Sequence, residues 1–418
     1  MADRLPGALL RMERTRQGLM LKQVCQGVCV TSYLSKIEHG DAQPDPAMLT
    51  ALFARLGVTY TSAEAELAPL RTLLADWHDR YLYGLDTRET YRRLMAQDVL
   101  LTYSPLCGDW LIVRALEGED AFAQLDGLAA CLSPRQRAYR DLGWASGHMN
   151  DPASLPMARE AAAVLGDSRS LLETCWIAMQ QGDYALIHRM ESRVTALALE
   201  EGNTFVLAAY YQCNGSAYAC LNQEDMMLSC YQRALHLLRN TAWTDQRREI
   251  YYNIGATLVS LRKYGEALRY LAMAEDAGMD NLLSIRHKQA LAMIRMGRVE
   301  DAQPVLREMK AILDAMPEVS EGSRLWYEEA VMECQPGFLE DPAYLALLEK
   351  LLAAVEGGGP LRLCVLLPGC DGRGLRPPAA VQARPGLRAV DFLQSAPIRH
   401  VKCAMMRSFS HKAGSLHP

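Results

Sequence analysis

The sequence predicts an all-α protein, an N-terminal helix-turn-helix bundle followed by an α-solenoid. Three observations carry that expectation. Residues 18–38 break at glycines into segments of the length and apolar spacing of short helices. From about residue 61 to residue 355 the pattern is almost continuously helical, with short Gly, Asp or Asn breaks. Within that stretch, matching small and large positions return after 40 and 35 residues. At 418 residues the chain also exceeds what one core serves, so several domains or a repeat array are expected.

Asp3 to Arg16 forms the first predicted helix, with Leu9, Leu10 and Met12 inward. Its Arg11, Arg14 and Arg16 either reach a phosphate backbone or line a solvated face. Gly18 closes it, Leu21 to Gln26 make a second helix, Gly27 to Val30 turn the chain, and Thr31 to Glu38 make a third. Leu34 and Ile37, at i, i+3 spacing, face the first two helices and leave Thr31, Ser32, Ser35 and Lys36 outward. Short polar groups and one cation suit a major groove, where Thr and Ser meet base edges and Lys reaches guanine acceptors. With Lys22 these are the candidate DNA-binding residues.

At these residues the stretch resembles the Cro-type (XRE) helix-turn-helix domain. Gln26-Gly-Val-Cys29 followed by Ser32-Tyr-Leu-Ser-Lys-Ile-Glu38 resembles the RRNPP family of peptide-sensing regulators from Gram-positive bacteria. The resemblance implies a transcriptional regulator that binds a double-stranded DNA operator, responds to a small signalling peptide (quorum sensing) and forms a homodimer through its body. Two positions depart from the pattern. Leu21 stands where a phosphate-binding Gln is common, and Val30 where a polar residue usually opens the recognition helix. They leave open a second reading, a protein–protein adaptor whose degenerate head does not read DNA.

His39 to Pro46 is a turn, with Asp45 and Pro46 a cap and first-turn pair for a helix over Ala47 to Leu56, ended by Gly57. Thr61 and Glu64 have capping-box spacing for the next helix. The expected domains are residues 1–60 (helix-turn-helix), 61–356 (helical repeats) and 357–418 (a basic Pro/Gly-rich tail).

In the body, Gly255, Leu258, Tyr264, Ala267, Leu271 and Ala274 occupy positions that let two antiparallel helices pack closely, and Tyr251 to Ala274 resembles a tetratricopeptide (TPR) repeat. Gly215, Tyr218, Tyr231 and Ala234 form the unit before, with Met227 where alanine is usual; Ala290, Met293, Ala302 and Leu306 form the unit after. Weaker pairs lie at Ala138 to Val164 and Leu172 to Leu199. Such a stack lines a groove for an extended peptide or a partner helix. Tyr252-Asn-Ile-Gly255 resembles the motif whose Asn binds the peptide main chain in RRNPP-type sensors, so Asn253, with Tyr252 and Asn214, is the candidate peptide site. Asn253 equally suits a helix residue facing solvent or a neighbouring loop. Cys213 and Lys288 stand at the equivalent positions of the flanking repeats. Tyr210, Tyr211, Tyr218, Trp326 and Tyr327 read as core aromatics rather than a pocket lining.

Charge is divided along the chain. Residues 1–60 carry +2 and residues 359–418 carry +7, leaving −14 for the body in a total of −5. DNA contact is therefore expected only at the head. No apolar run has transmembrane length and the first residues lack a signal-peptide core, so a cytoplasmic protein without membrane contact is expected. The 12 cysteines, Cys25 and Cys29 included, read as small buried hydrophobes. No phosphate loop, zinc-ligand spacing or nucleophile elbow is present, so neither metal, cofactor nor enzyme activity is expected. The tail reads as a disordered basic arm or as the product of a shifted reading frame.

Overall fold

The pattern of apolar residues does produce helices throughout: a computed structural model describes residues 4–276 and 282–356, and every regular element among them is helical. The predicted tail, residues 357–418, lies outside the described residues. First come α1 (Leu5–Arg16), α2 (Leu21–Cys25), α3 (Thr31–His39) and α4 (Pro46–Arg55). Next are α5 (Glu64–Leu82), α6 (Arg88–Met95), α7 (Asp98–Thr102), α8 (Cys107–Leu116), α9 (Phe122–Gly127), α10 (Pro134–Gly147), α11 (Ser154–Leu165), α12 (Ser168–Gln181) and α13 (Tyr184–Glu200). The rest are α14 (Thr204–Cys220), α15 (Glu224–Leu238), α16 (Thr244–Ser260), α17 (Tyr264–Asp276), α18 (Leu282–Arg295), α19 (Val299–Ala315), α20 (Glu321–Glu333) and α21 (Pro342–Glu356). Among the described residues they divide into two compact units, one of residues 4–177 with 192–206, the other of residues 178–191 with 207–276 and 282–356.

In the first unit, α3 ends at Gly40, whose φ of 76° lets its N–H reach the Ile37 carbonyl (3.0 Å) while Asp41 N–H reaches Lys36 (2.8 Å). Asp45 caps α4 by accepting from Met48 N–H at 2.8 Å. α1 crosses α3 where only glycine fits, since a Cβ on Gly7 would stand 1.9 Å from the Ile37 carbonyl oxygen. Leu9, Leu10, Val24, Leu34, Ile37, Leu52 and Phe53 fill the space between the four helices.

Two local expectations change. The Thr61–Glu64 capping box does not form, because Thr61 N–H donates to the Tyr103 carbonyl (3.0 Å) and the chain stays extended until α5 begins at Glu64 behind Ala63. Residue 60 is also no boundary between compact units. Phe53 stacks on Tyr60 (5.1 Å) and meets Tyr103 edge-on (6.3 Å), and the core under α1–α4 runs on into Cys107, Leu111, Leu125 and Leu142.

In the second unit the repeat register is visible in the packing. Gly215 and Gly255 each face the residue sixteen positions on: an added Cβ would meet the Tyr231 ring or Leu271 Cγ at 2.8 Å. Ala290 and Leu306, buried at the same spacing, repeat the arrangement between α18 and α19. Met227, Ala267 and Ala302 are all fully buried at the third matching position. α16 packs on α18 and α18 on α20, so first helices of successive pairs adjoin, as a stack of helix pairs requires. Among the described residues, no helix is long and apolar enough to cross a membrane.

Candidate functional site

The outward face of α3 holds most of the residues singled out for DNA. Thr31, Ser32 and Lys36 are exposed, as is Lys22 on α2; Ser35 is half-buried, its carbonyl accepting from the His39 ring at 2.7 Å. Leu34 and Ile37 point into the core.

Two of the three α1 arginines are committed elsewhere. Arg14 donates through Nε and Nη2 to Glu38 (2.7 and 2.8 Å) and through Nη1 to the Leu19 carbonyl. Arg16 grips Glu13, which also accepts from Gln17 and from the Tyr103 hydroxyl at 2.7 Å. Burial opposes the Glu13 charge, but the hydrogen bonds from Arg16, Tyr103 and Gln17 outweigh it and hold its pKa down to about 2. Only Arg11 of the three is exposed without such a carboxylate.

Glu13 and Glu38 are the only acidic residues on α1–α3, and both are buried and paired. The exposed charges of these three helices are therefore cationic, Arg11, Lys22 and Lys36 foremost. Sequence reasoning missed this although a signal was present. Glu13 lies four residues after Leu9 and Glu38 four after Leu34, on the faces that α1 and α3 bury.

In the repeats, Asn253 is buried at 1% exposure, which rules out the solvent-facing alternative. Its Nδ2 has no hydrogen-bond partner. Asn214 is equally buried; its Oδ1 is 2.7 Å from His188 Nδ1, and the His188 ring stacks on Tyr218 with centroids 4.3 Å apart. Asn214 Nδ2 and His188 Nε2 are left without partners. Tyr252 is half-buried against the repeat core. Tyr210 is fully buried, its hydroxyl on the Ile187 carbonyl (2.8 Å), and so belongs to the core.

The register extends this polar row beyond the residues picked from sequence. Gln212, Tyr252 and His287 occupy one matching position of α14, α16 and α18; Cys213, Asn253 and Lys288 occupy the next. Gln212 Nε2 donates to Glu249 (3.1 Å) while its Oε1 has no partner. His287 Nε2 is 3.0 Å from Glu329, and its ring stacks on Trp326 at 5.4 Å; His287 Nδ1 and Trp326 Nε1 are unpartnered. Burial, reinforced by Lys288, pulls the His287 pKa down to about 4 against the effect of Glu329, so the ring is neutral near pH 7. Nε2–H then donates to Glu329 and Nδ1 presents a lone pair. The row thus places unpaired donors and acceptors on adjacent helices.

Among the described residues, no group of three or more His, Cys, Asp or Glu could hold a metal ion. No protein-family model, no curated protein and no solved structure matches the chain.

Proposed function

We propose that the protein is a cytoplasmic, sequence-specific DNA-binding transcriptional regulator whose TPR-like repeats sense a small signalling peptide. One observation carries the reading. The three helices of the helix-turn-helix turn both of their carboxylates inward onto Arg14 and Arg16, leaving Thr31, Ser32, Lys22, Lys36 and Arg11 outward. A polyanion meets cations and short hydrogen-bonding groups there and no exposed acid on α1–α3. Lys22 and Arg11 serve phosphates, while Thr31, Ser32 and Lys36 serve base edges. A homodimer would set two recognition helices about 34 Å apart, one DNA turn, on a near-palindrome.

The buried, unpartnered amide nitrogens of Asn253 and Asn214 support the peptide half of the proposal. An unpaired buried polar atom costs free energy that a bound backbone would recover. The peptide then regulates by preferring one arrangement of the repeats, and shifts DNA affinity only by its differential affinity for the two.

The test is binding of the full-length protein to DNA from immediately upstream of its own coding sequence, at two salt concentrations with excess competitor. A specific complex that survives competitor and is lost on Lys36→Ala or Thr31→Ala supports the reading. Binding that competitor removes and salt abolishes is phosphate attraction alone. That outcome would favour the adaptor reading, for which the exposed apolar Met20 and Val30 at the starts of α2 and α3 speak.

A further inference from the structure

We infer that Val30 is a specificity-determining residue that reads the C5-methyl group of a thymine in the operator, an inference resting on the DNA-binding reading above. Val30 sits at the N-cap of α3 with extended backbone (φ −86°, ψ 152°) and forms no side-chain cap. Ser, Thr, Asp or Asn there would hydrogen-bond the first turn, and valine forgoes that bond. Nor does Val30 join the core, which Val24, Leu34 and Ile37 fill beneath it, for it remains 67% exposed. Neither capping nor packing accounts for an isopropyl group at the leading end of the recognition helix.

Its surroundings point to the occupant. The next two residues, Thr31 and Ser32, are exposed and polar, and Lys36 lies on the same helix six residues on. Six residues advance about 9 Å along an α-helix, between two and three base pairs at roughly 3.4 Å each. With Lys36 on a guanine, Val30 falls within the same half-site. The thymine methyl is the one apolar group that base edges present in the major groove, and cytosine and uracil lack it. Val30 thus turns a departure from the usual polar opening into a preference for thymine at one position. Covering one methyl group is worth about fourfold in affinity.

The experiment selects duplexes from a random pool with the full-length protein, then replaces each thymine of the enriched duplex singly with deoxyuridine and measures affinity by fluorescence anisotropy. The expected result is one thymine per half-site at which loss of the methyl weakens the wild type about fourfold. Val30→Ser, which restores a capping hydroxyl and so keeps α3 formed, still binds but no longer distinguishes thymine from uracil there. Thr31→Ser, which removes the neighbouring methyl, keeps the distinction. The inference is overturned if no position depends on its methyl, if the dependence persists in Val30→Ser, if Thr31→Ser abolishes it instead, or if Val30→Ser binds no duplex at all. An unenriched pool would overturn the DNA-binding reading itself and Val30 with it; an enriched duplex indifferent to uracil removes Val30 alone.

Discussion

The helix-turn-helix and the repeats treat buried polar groups in opposite ways. Among the described residues of α1–α4, Glu13, Arg14 and Glu38 are each satisfied by two or more hydrogen bonds, and no buried side-chain nitrogen or oxygen is left unpaired. In α14, α16, α18 and α20, by contrast, Gln212, Asn214, Asn253, His287 and Trp326 each bury an atom without a partner. A fully paired network rigidifies the element that contains it. The first region thus satisfies its buried polar groups by itself, whereas the second retains hydrogen-bonding capacity that only another molecule or a rearrangement can use.

The contrast is sharpest at two glycines. Gly7→Ala drives a Cβ onto the Ile37 backbone, which cannot move without separating α1 from α3. A loss of about 3 kcal/mol is expected, and with it any DNA binding of the kind proposed above. Gly255→Ala meets Leu271 Cγ at 2.8 Å and the Ala267 carbonyl oxygen at 3.2 Å, a milder clash than the 1.9 Å at Gly7, and should cost less, about 1–2 kcal/mol. Hydrogen-exchange mass spectrometry of the full chain, following peptides from α1–α3 and α16–α17, separates the two. Equal deprotection in both regions would contradict the distinction.

Glu38→Gln is next in size. It strips the carboxylate from Arg14, which is only 17% exposed, and should cost about 2 kcal/mol because the guanidinium is left half-paired. Exchange rates in α1 and α3 would rise while those in α16 stay unchanged. Glu13 gives the same region a pH signature. Its carboxyl is depressed in the folded state, so its contribution is fully present above the unfolded value near 4.5 and is lost as pH falls through about 2. Discounted for the exposed Arg16 partner, that contribution is about 1–2 kcal/mol. Denaturation midpoints should fall between pH 5 and pH 2 in the wild type and fall less in Glu13→Gln.

What the sequence made legible follows the range of the interaction. Leu34 and Ile37 at i, i+3, the Asp45–Pro46 pair and the small residues Gly255, Ala267 and Ala274 report contacts within one or two helices, and those elements appear as expected. The Thr61 capping box and the boundary at residue 60 fail for one reason: Tyr103, more than 40 residues away in the chain, takes the Thr61 N–H and packs against Phe53. The outward face of α1–α3 was half legible. Thr31, Ser32 and Lys36 are outward as expected while Ser35 is half-buried, but the fate of Arg14 and Arg16 depended on Glu13 and Glu38 occupying buried helical positions, which sequence reasoning did not weigh. In the repeats, Asn253 was singled out through its motif, which does not report its burial. Its unsatisfied nitrogen, and the His188–Asn214 and His287–Trp326 pairs, arise from helices packed far apart in sequence and leave no local mark.

The smallest expected effect is the most discriminating. Asn253→Leu exchanges a buried amide whose Nδ2 bonds nothing for an apolar group of similar volume. Replacing a satisfied group this way would cost about 1–3 kcal/mol, whereas removing an unsatisfied one is close to neutral. Thermal and exchange stability of α16–α17 should therefore change by less than about 1 kcal/mol, in contrast to Glu38→Gln, while affinity for the proposed signalling peptide falls by tenfold or more if Nδ2 donates to its backbone. A large loss of stability would mean that Asn253 is held by the repeats themselves, and the difference between the two regions would vanish. Unchanged stability with unchanged peptide affinity would keep the difference between the regions but remove Asn253 from the proposed peptide site.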